Sequence, residues 1–355
     1  MSEPVASRRR AGKHVSEPVV SRRPAGKRVS EPVEGWAPGP VRVRVPATSA
    51  NLGPGFDSLG LALSLHDVVT AEVTEGGLEI EVSGAGEETA RLGEAHLVVR
   101  AMRAAFGRLG GHPPGVRLSC VNAIPHGFGL GSSAAAIVAG ILAARALRGE
   151  VGDRLLPDSA VLALAAELEG HADNVAACLL GGLTIAWFAG PPEGRAGGGP
   201  ARCVRLEPVA GLTPVLCVPA VPLATQAARQ VLPATVSHSD AAGNAARSAL
   251  LVAVLTRAEL AGEPGLLFEA TRDFVHQPYR AGAMPATASL VGALRAAGIP
   301  AVVSGAGPAA LALIAPGAAV GHAEVAAIAG TSGAQWAVLA LDIDRAGCVI
   351  QRMSV

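Results

Sequence analysis

The segment PHGFGLGSSAAA, residues 125–136, constrains this chain more than any other. It joins a strand pattern, VRLSCVNAI at 116–124, to an Ala-rich run from Ser132 to Leu147 that reads as a helix. Gly127, Gly129 and Gly131 alternate ahead of that helix, so the backbone can turn tightly and come close to a ligand. The helix start adds unpaired N–H groups and the positive end of the helix dipole. A strand, a glycine turn and a helix in this order form a cradle for a phosphate group. Ser132 and Ser133 stand at the helix start, where a hydroxyl either caps the helix or reaches a phosphate-bound Mg2+.

The rest of the composition removes rival phosphate sites. Lys13 and Lys27 are the only lysines among 355 residues, and both precede residue 40. A Walker loop, a protein-kinase core and a Schiff-base centre each need a lysine, so the body of the chain can be none of them. The five cysteines (Cys120, Cys178, Cys203, Cys217 and Cys348) show no CxxC spacing, so neither a zinc site nor a disulfide framework is indicated, and a reduced cytoplasmic location is expected. The formal charge is zero overall, yet residues 1–40 carry +4 and the remainder −4. The body therefore offers no basic footprint for nucleic acid or an anionic membrane.

Those first residues hold a repeat of period 14: SEPVASRRRAGKHV at 2, SEPVVSRRPAGKRV at 16 and SEPVEG at 30. With little to bury, residues 1–40 are expected to form a disordered basic arm, either a dispensable solvated extension or a docking arm for an acidic partner, with no function built on it. From Val41 the pattern becomes regular. VRVRVPATSA alternates as a strand, 64–84 reads as two strands meeting at Gly76-Gly77, and 95–109 and 158–168 have helical periodicity. The Gly- and Pro-rich stretch 190–202 reads as a boundary, which places an N-terminal domain at 41–195 and a C-terminal domain at 196–355. Strands near 203–208, 213–219, 300–304 and 308–314, with helices near 240–261 and 285–297, make the second half α+β. No run is long and apolar enough to span a membrane.

Two further segments carry turn chemistry. PATSANLGPGFDSLGLAL at 46–63 runs from a strand into a loop holding Asn51, three glycines and Asp57, and VVSGAGPAALALI at 302–314 places a small-residue turn between apolar strands. Taken with the glycine loop, in this order and spacing, the three resemble the signature segments of the GHMP kinases (galactokinase, homoserine kinase, mevalonate kinase and phosphomevalonate kinase), over residues from about 41 to 314. Within that group EGHADNVA at 169–176, ATQAARQVLP at 224–233 and FVHQPYRAGAMP at 274–285 resemble the homoserine kinases.

The resemblance implies a two-domain α+β fold, with a left-handed β-α-β unit in the N-terminal domain and a ferredoxin-like C-terminal domain. It implies ATP and Mg2+ as cofactors and transfer of a phosphoryl group to the hydroxyl of L-homoserine, a step of threonine biosynthesis. The nucleotide would lie over Pro125, Gly127, Gly129, Leu130, Gly131, Ser132, Ser133, Ala134 and Ala135, with the third segment steadying the other two. By matching position, Asn51 and Asp57 would hold the amino end of the substrate; Arg229 and Arg280, with Thr225 nearby, would grip the carboxylate. His171, Asp173 and Asn174 would line the hydroxyl side, with no general base assigned. Ser133 and Glu167 would hold the metal, with Glu169 as the competing carboxylate. Dimers are common in that family, which suggests a homodimer. The alternatives are a GHMP kinase for another small alcohol such as mevalonate, and a metabolite sensor without turnover.

Overall fold

The computed structural model describes residues 35–190, 199–223 and 225–353; the period-14 repeat lies outside them. The described residues begin at Gly35, inside the span assigned above to the arm, and the disorder expected for residues 1–34 lies outside them. Trp36, assigned above to the arm, packs edge-to-face on Phe106 at 5.3 Å and lies under the Arg148 guanidinium at 4.8 Å. An aromatic side chain with both an apolar and a cationic neighbour is anchored.

The first unit contains β1 (Val41–Ala50), β2 (Leu59–Thr74), β3 (Gly77–Gly84), α1 (Leu97–Arg108), β4 (Gly115–Asn122), α2 (Ser132–Leu147), α3 (Gly149–Leu155), α4 (Asp158–Glu169), α5 (Asp173–Leu180), β5 (Leu183–Phe188) and β6 (Ala201–Leu206). In β1 the valines turn inward and the arginines outward up to Pro46, where the register shifts and both faces become buried. Proline has no N–H to give the ladder, which accounts for the irregularity there. β2 and β3 do flank Gly76-Gly77, but they do not pair. β4 inserts between them, antiparallel to β2 and parallel to β3, and α1 makes the crossover.

α2 is buried along nearly its whole length because its alanines allow close approach from every side. At Gly140 a Cβ would strike the Val98 carbonyl and Ala101 of α1, so only glycine permits this α1–α2 distance.

The second unit contains β7 (Thr213–Pro219), α6 (Thr225–Gln230), α7 (His238–Thr256), α8 (Ala258–Ala261), α9 (Leu266–Ala270), α10 (Gln277–Arg280), α11 (Pro285–Ala296), β8 (Ala301–Val303), β9 (Ala310–Ile314), α12 (His322–Thr331) and β10 (Trp336–Ala340). Its antiparallel sheet runs β10-β7-β9-β8, the βαββαβ order of a ferredoxin-like domain. One face packs on the main core through Leu216, Val302, Leu311 and Leu313; the other packs on α11 and α12 through Val215, Cys217 and Ala312.

The final strand, β11 (Val349–Arg352), returns to the first sheet and pairs with β1, while β6 pairs with β5. Residues 201–206 and 349–352 therefore complete the first sheet, although the expected boundary at 195/196 assigned them to the second domain. Composition marks the loop between β5 and β6 but cannot tell on which side of it the sheet ends. Among the described residues no helix is long and apolar enough to cross a membrane.

Candidate functional site

The glycine turn ends at Gly131, which has φ +69° and sits where a Cβ would run into the Thr48 hydroxyl. Thr48 donates its backbone N–H to Leu130 and accepts a hydrogen bond on Oγ1 from Asn174 Nδ2 at 2.8 Å. The start of α2, the end of β1 and the start of α5 are thereby locked together.

The third segment locks them again. Ser304 Oγ lies 2.9 Å from both Ser49 Oγ and the Gly129 carbonyl, Gly305 N–H donates to Ala50, and Ala309 N–H donates to Phe128.

Two cavities meet at this loop. The larger, about 280 Å³, has apolar walls from Val45, Val69, Leu97 and Val98, with Asp67, Asn122 and His126 at its polar edge. Cys120 also lines it, but burial pushes that thiol up to about 12, so it is no nucleophile at neutral pH. The smaller, about 90 Å³, is lined by Asn51, Glu169, His171, Asp173, Asn174, Arg229 and Arg280 together with the loop from Pro125 to Ser133. Gly127, Ser132 and Ser133 form the wall common to both. Ala135 faces the larger cavity, and Ala134 is buried beneath the loop.

The smaller cavity holds two buried charged atoms without a hydrogen-bond partner among the described residues: Asp173 Oδ2 and Arg280 Nη2. The rest of each group is committed. Asp173 Oδ1 accepts from His171 Nδ1 at 2.7 Å and from the Asn174 N–H at 2.8 Å. Arg280, fully buried, donates to the Ala228 and Gly305 carbonyls and to His276 Nδ1. Burial, and after it the nearby Arg229 charge, lowers the Arg280 guanidinium below its ordinary value, although an arginine stays protonated. Burial opposes a charged His171 ring, but the hydrogen bond to Asp173 and the negative charges of Asp173 and Glu169 together outweigh it and raise that imidazole above its ordinary value.

The two carboxylates weighed for the metal face opposite ways. Residues two apart on a helix are about 200° apart. Glu169 is 10% exposed and accepts from Ser133 Oγ at 2.6 Å; burial raises its carboxyl above the usual range. Glu167, the expected ligand, is 65% exposed and pairs with Arg108 on the far side of α4. Of the two, it is Glu169, the competing carboxylate, and not Glu167 that lies beside Ser133 at the cavity wall.

Asn51 (φ +62°) and Asp57 (φ +53°) both adopt left-handed backbone, and Asn51 Oδ1 accepts the Asp57 N–H at 2.8 Å. The Asp57 carboxylate lies against Arg229 at 2.8 and 3.3 Å, so it reaches the cavity through that arginine and is not part of the wall. The side chain of Thr225 lies outside the described residues. His276 was missed, although the spacing of His276 and Arg280 puts them one helical turn apart.

The family described as GHMP kinases N terminal domain matches residues 96–182. The chain is 53% identical over 306 residues to a homoserine kinase of Streptomyces coelicolor, covering 86% of this chain and 93% of that one. It is 52% identical over 306 residues to a homoserine kinase of Streptomyces avermitilis, covering 86% of this chain and 94% of the other. Among solved structures, a homoserine kinase from Cytophaga hutchinsonii superposes with a TM-score of 0.68 at 26% identity, over 88% of this chain and 97% of that one.

Proposed function

This chain belongs to the homoserine kinase family within the GHMP kinases, and from that premise we propose how its site carries the γ-phosphoryl group of ATP to the side-chain hydroxyl of L-homoserine, a step toward threonine. The observation that carries the reading is the pair of partnerless charged atoms in the smaller cavity, Asp173 Oδ2 and Arg280 Nη2. A buried charge without a partner costs about 1–3 kcal/mol or more, and such groups persist where a ligand completes them. Homoserine brings a carboxylate for Arg280 and an ammonium and hydroxyl for the acidic side.

In this reading the base and ribose of ATP occupy the larger cavity, and the triphosphate crosses the shared wall of Gly127, Ser132 and Ser133 to point at the smaller one. The amides at the start of α2 and the helix dipole take the phosphate charge that a lysine takes in other kinases. Ser133 and Glu169 supply hard oxygen donors beside the phosphates, the donor type that suits Mg2+, which usually binds through one or two carboxylates and substrate phosphates and not through a protein cage. Bound there, the ion would neutralise charge on the β- and γ-phosphoryl oxygens.

The chain itself orients the reactants. Arg280 holds the carboxylate, Asn51 and the Asp57-Arg229 pair close the amino end, and His171 with Asn174 holds Asp173 in place. The substrate hydroxyl oxygen then forms a bond to Pγ while the bond from Pγ to the β–γ bridging oxygen breaks, releasing ADP. The hydroxyl proton has two acceptors, Asp173 Oδ2 and a γ-phosphoryl oxygen.

A coupled ADP-release assay tests the reading. L-Homoserine should support turnover, with mevalonate, galactose and L-threonine at least ~10²-fold lower in kcat/KM: mevalonate and galactose lack the ammonium, and the L-threonine hydroxyl sits one carbon nearer the α-carbon, out of line with Pγ. Comparable turnover of mevalonate would overturn the substrate assignment. ATP binding without turnover on any of them would favour a sensor.

A further inference from the structure

Arg280 spends its donors unequally. Nε–H goes to the Ala228 carbonyl at 3.1 Å, and Nη1 lies 3.2 Å from the Gly305 carbonyl and 3.1 Å from His276 Nδ1. Only Nη2 is unspent among the described residues, and Arg280 lines the smaller cavity. A guanidinium can only donate, so His276 Nδ1 must accept, and the ring proton must sit on Nε2. There it is donated to the Gly53 carbonyl at 2.7 Å. The imidazole therefore links the Asn51–Gly60 loop to the guanidinium, and its tautomer is set at both ends.

Its surroundings keep the ring neutral and flat. Phe56 stacks on it at 5.3 Å and 25° and also lies under the Arg280 guanidinium at 5.4 Å. Burial lowers His276 below its ordinary value, against the pull of Asp273, whose Oδ2 is 3.5 Å from Nε2 and also receives the Gln277 N–H. Arg280 on the other side opposes a second positive charge. His276 lines neither cavity of the site.

We propose that His276 is a positioning residue for carboxylate recognition: by tying Nη1 of Arg280 back to the Gly53 carbonyl, it leaves Nη2 as the edge presented to the amino-acid substrate. This inference rests on the reading of Arg280 as the carboxylate clamp. A loose guanidinium would still be charged but would lose its aim, so the loss should fall on recognition of the carboxylate and not on ATP.

Two isosteres separate the ends of the ring. The oxygen of His276→Asn can stand where Nδ1 stands and accept from Arg280; the amide of His276→Gln reaches the Nε2 position and serves Gly53 alone. The experiment compares wild type, His276→Asn, His276→Gln and Arg280→Ala. It measures KM for L-homoserine and for ATP, and kcat/KM for L-homoserine relative to 3-amino-1-propanol, which is homoserine without its carboxylate.

In His276→Gln, KM for L-homoserine should rise ~10-fold or more and the preference over 3-amino-1-propanol should fall by a similar factor, about that of one charged hydrogen bond. KM for ATP should stay within about twofold, and His276→Asn should recover most of the preference. Both ratios come from one preparation, so partial misfolding does not mimic the result. If His276→Gln weakens both acceptors and ATP alike, or leaves the preference intact, the inference is wrong. If Arg280→Ala itself leaves the preference unchanged, the clamp reading fails first, and that outcome is separate because it does not involve His276.

Discussion

Glu169→Gln is expected to lower kcat/KM for L-homoserine by roughly 10²–10³-fold, whereas Glu167→Gln stays within about twofold of wild type. The two positions differ in what surrounds them. Glu169 sits at the end of α4, with its side chain only 10% exposed, in contact with Ser133 at the common wall of the two cavities. Gln keeps the shape and can still accept from Ser133, but it removes the negative charge that a divalent cation on the phosphates requires. Glu167 has a solvent-exposed partner in Arg108, and an exposed pair is worth about 0–1 kcal/mol. Steady-state kinetics at increasing Mg2+ checks this: the Glu169 variant should need far more Mg2+ for half-maximal rate, and the Glu167 variant should not. Equal effects, or the reverse order, would return the metal role to Glu167.

Asp173→Asn is expected to reduce kcat by about 10²–10⁴-fold while KM for ATP changes little. The side chain is 1% exposed, and Asn retains the Oδ1 acceptor that His171 and the Asn174 N–H use, so α5 should stay in place. What changes is Oδ2, the atom without a partner among the described residues. An amide NH2 there cannot accept the hydroxyl proton, nor can it balance the substrate ammonium. Single-turnover rates measured beside a thermal melt distinguish lost chemistry from lost folding: the rate should fall while the melting temperature moves by only a few degrees. If kcat survives within tenfold, the proton leaves by way of the γ-phosphate, and Asp173 serves binding alone.

Much of this was legible in the sequence where local chemistry decides structure. Alternating valines marked β1, the alanine run marked α2 from Ser132 to Leu147, and three glycines ahead of a double serine marked the tight turn that opens α2. Long-range pairing was not legible. Nothing local to residues 64–84 says that β4 will insert between the two strands, or that Val349–Arg352 will return to β1. Which of Glu167 and Glu169 faces the cavity was not legible either, for a physical reason: both lie in the last turn of one helix, and which faces inward depends on where α2 crosses α4. Asp57 and Arg229 were read as separate grips, but the left-handed backbone at Asn51 and Asp57 brings them into one ion pair. Of the two guanidiniums at the cavity, Arg280 is the one with a buried donor that has no partner among the described residues. His276 carries no charge pattern to flag it; its importance lies in a contact with a carbonyl 223 residues away in the chain.

The most direct test of the account is the product itself, read by phosphorus NMR after the full chain acts on Mg-ATP and L-homoserine. The account predicts a phosphomonoester resonance coupled to a CH2 group, growing in step with ADP and absent with Arg280→Ala at the same enzyme concentration and time. Inorganic phosphate in step with ADP, with no ester signal, would mean that water and not the homoserine hydroxyl receives the phosphoryl group, and would contradict the account at its centre.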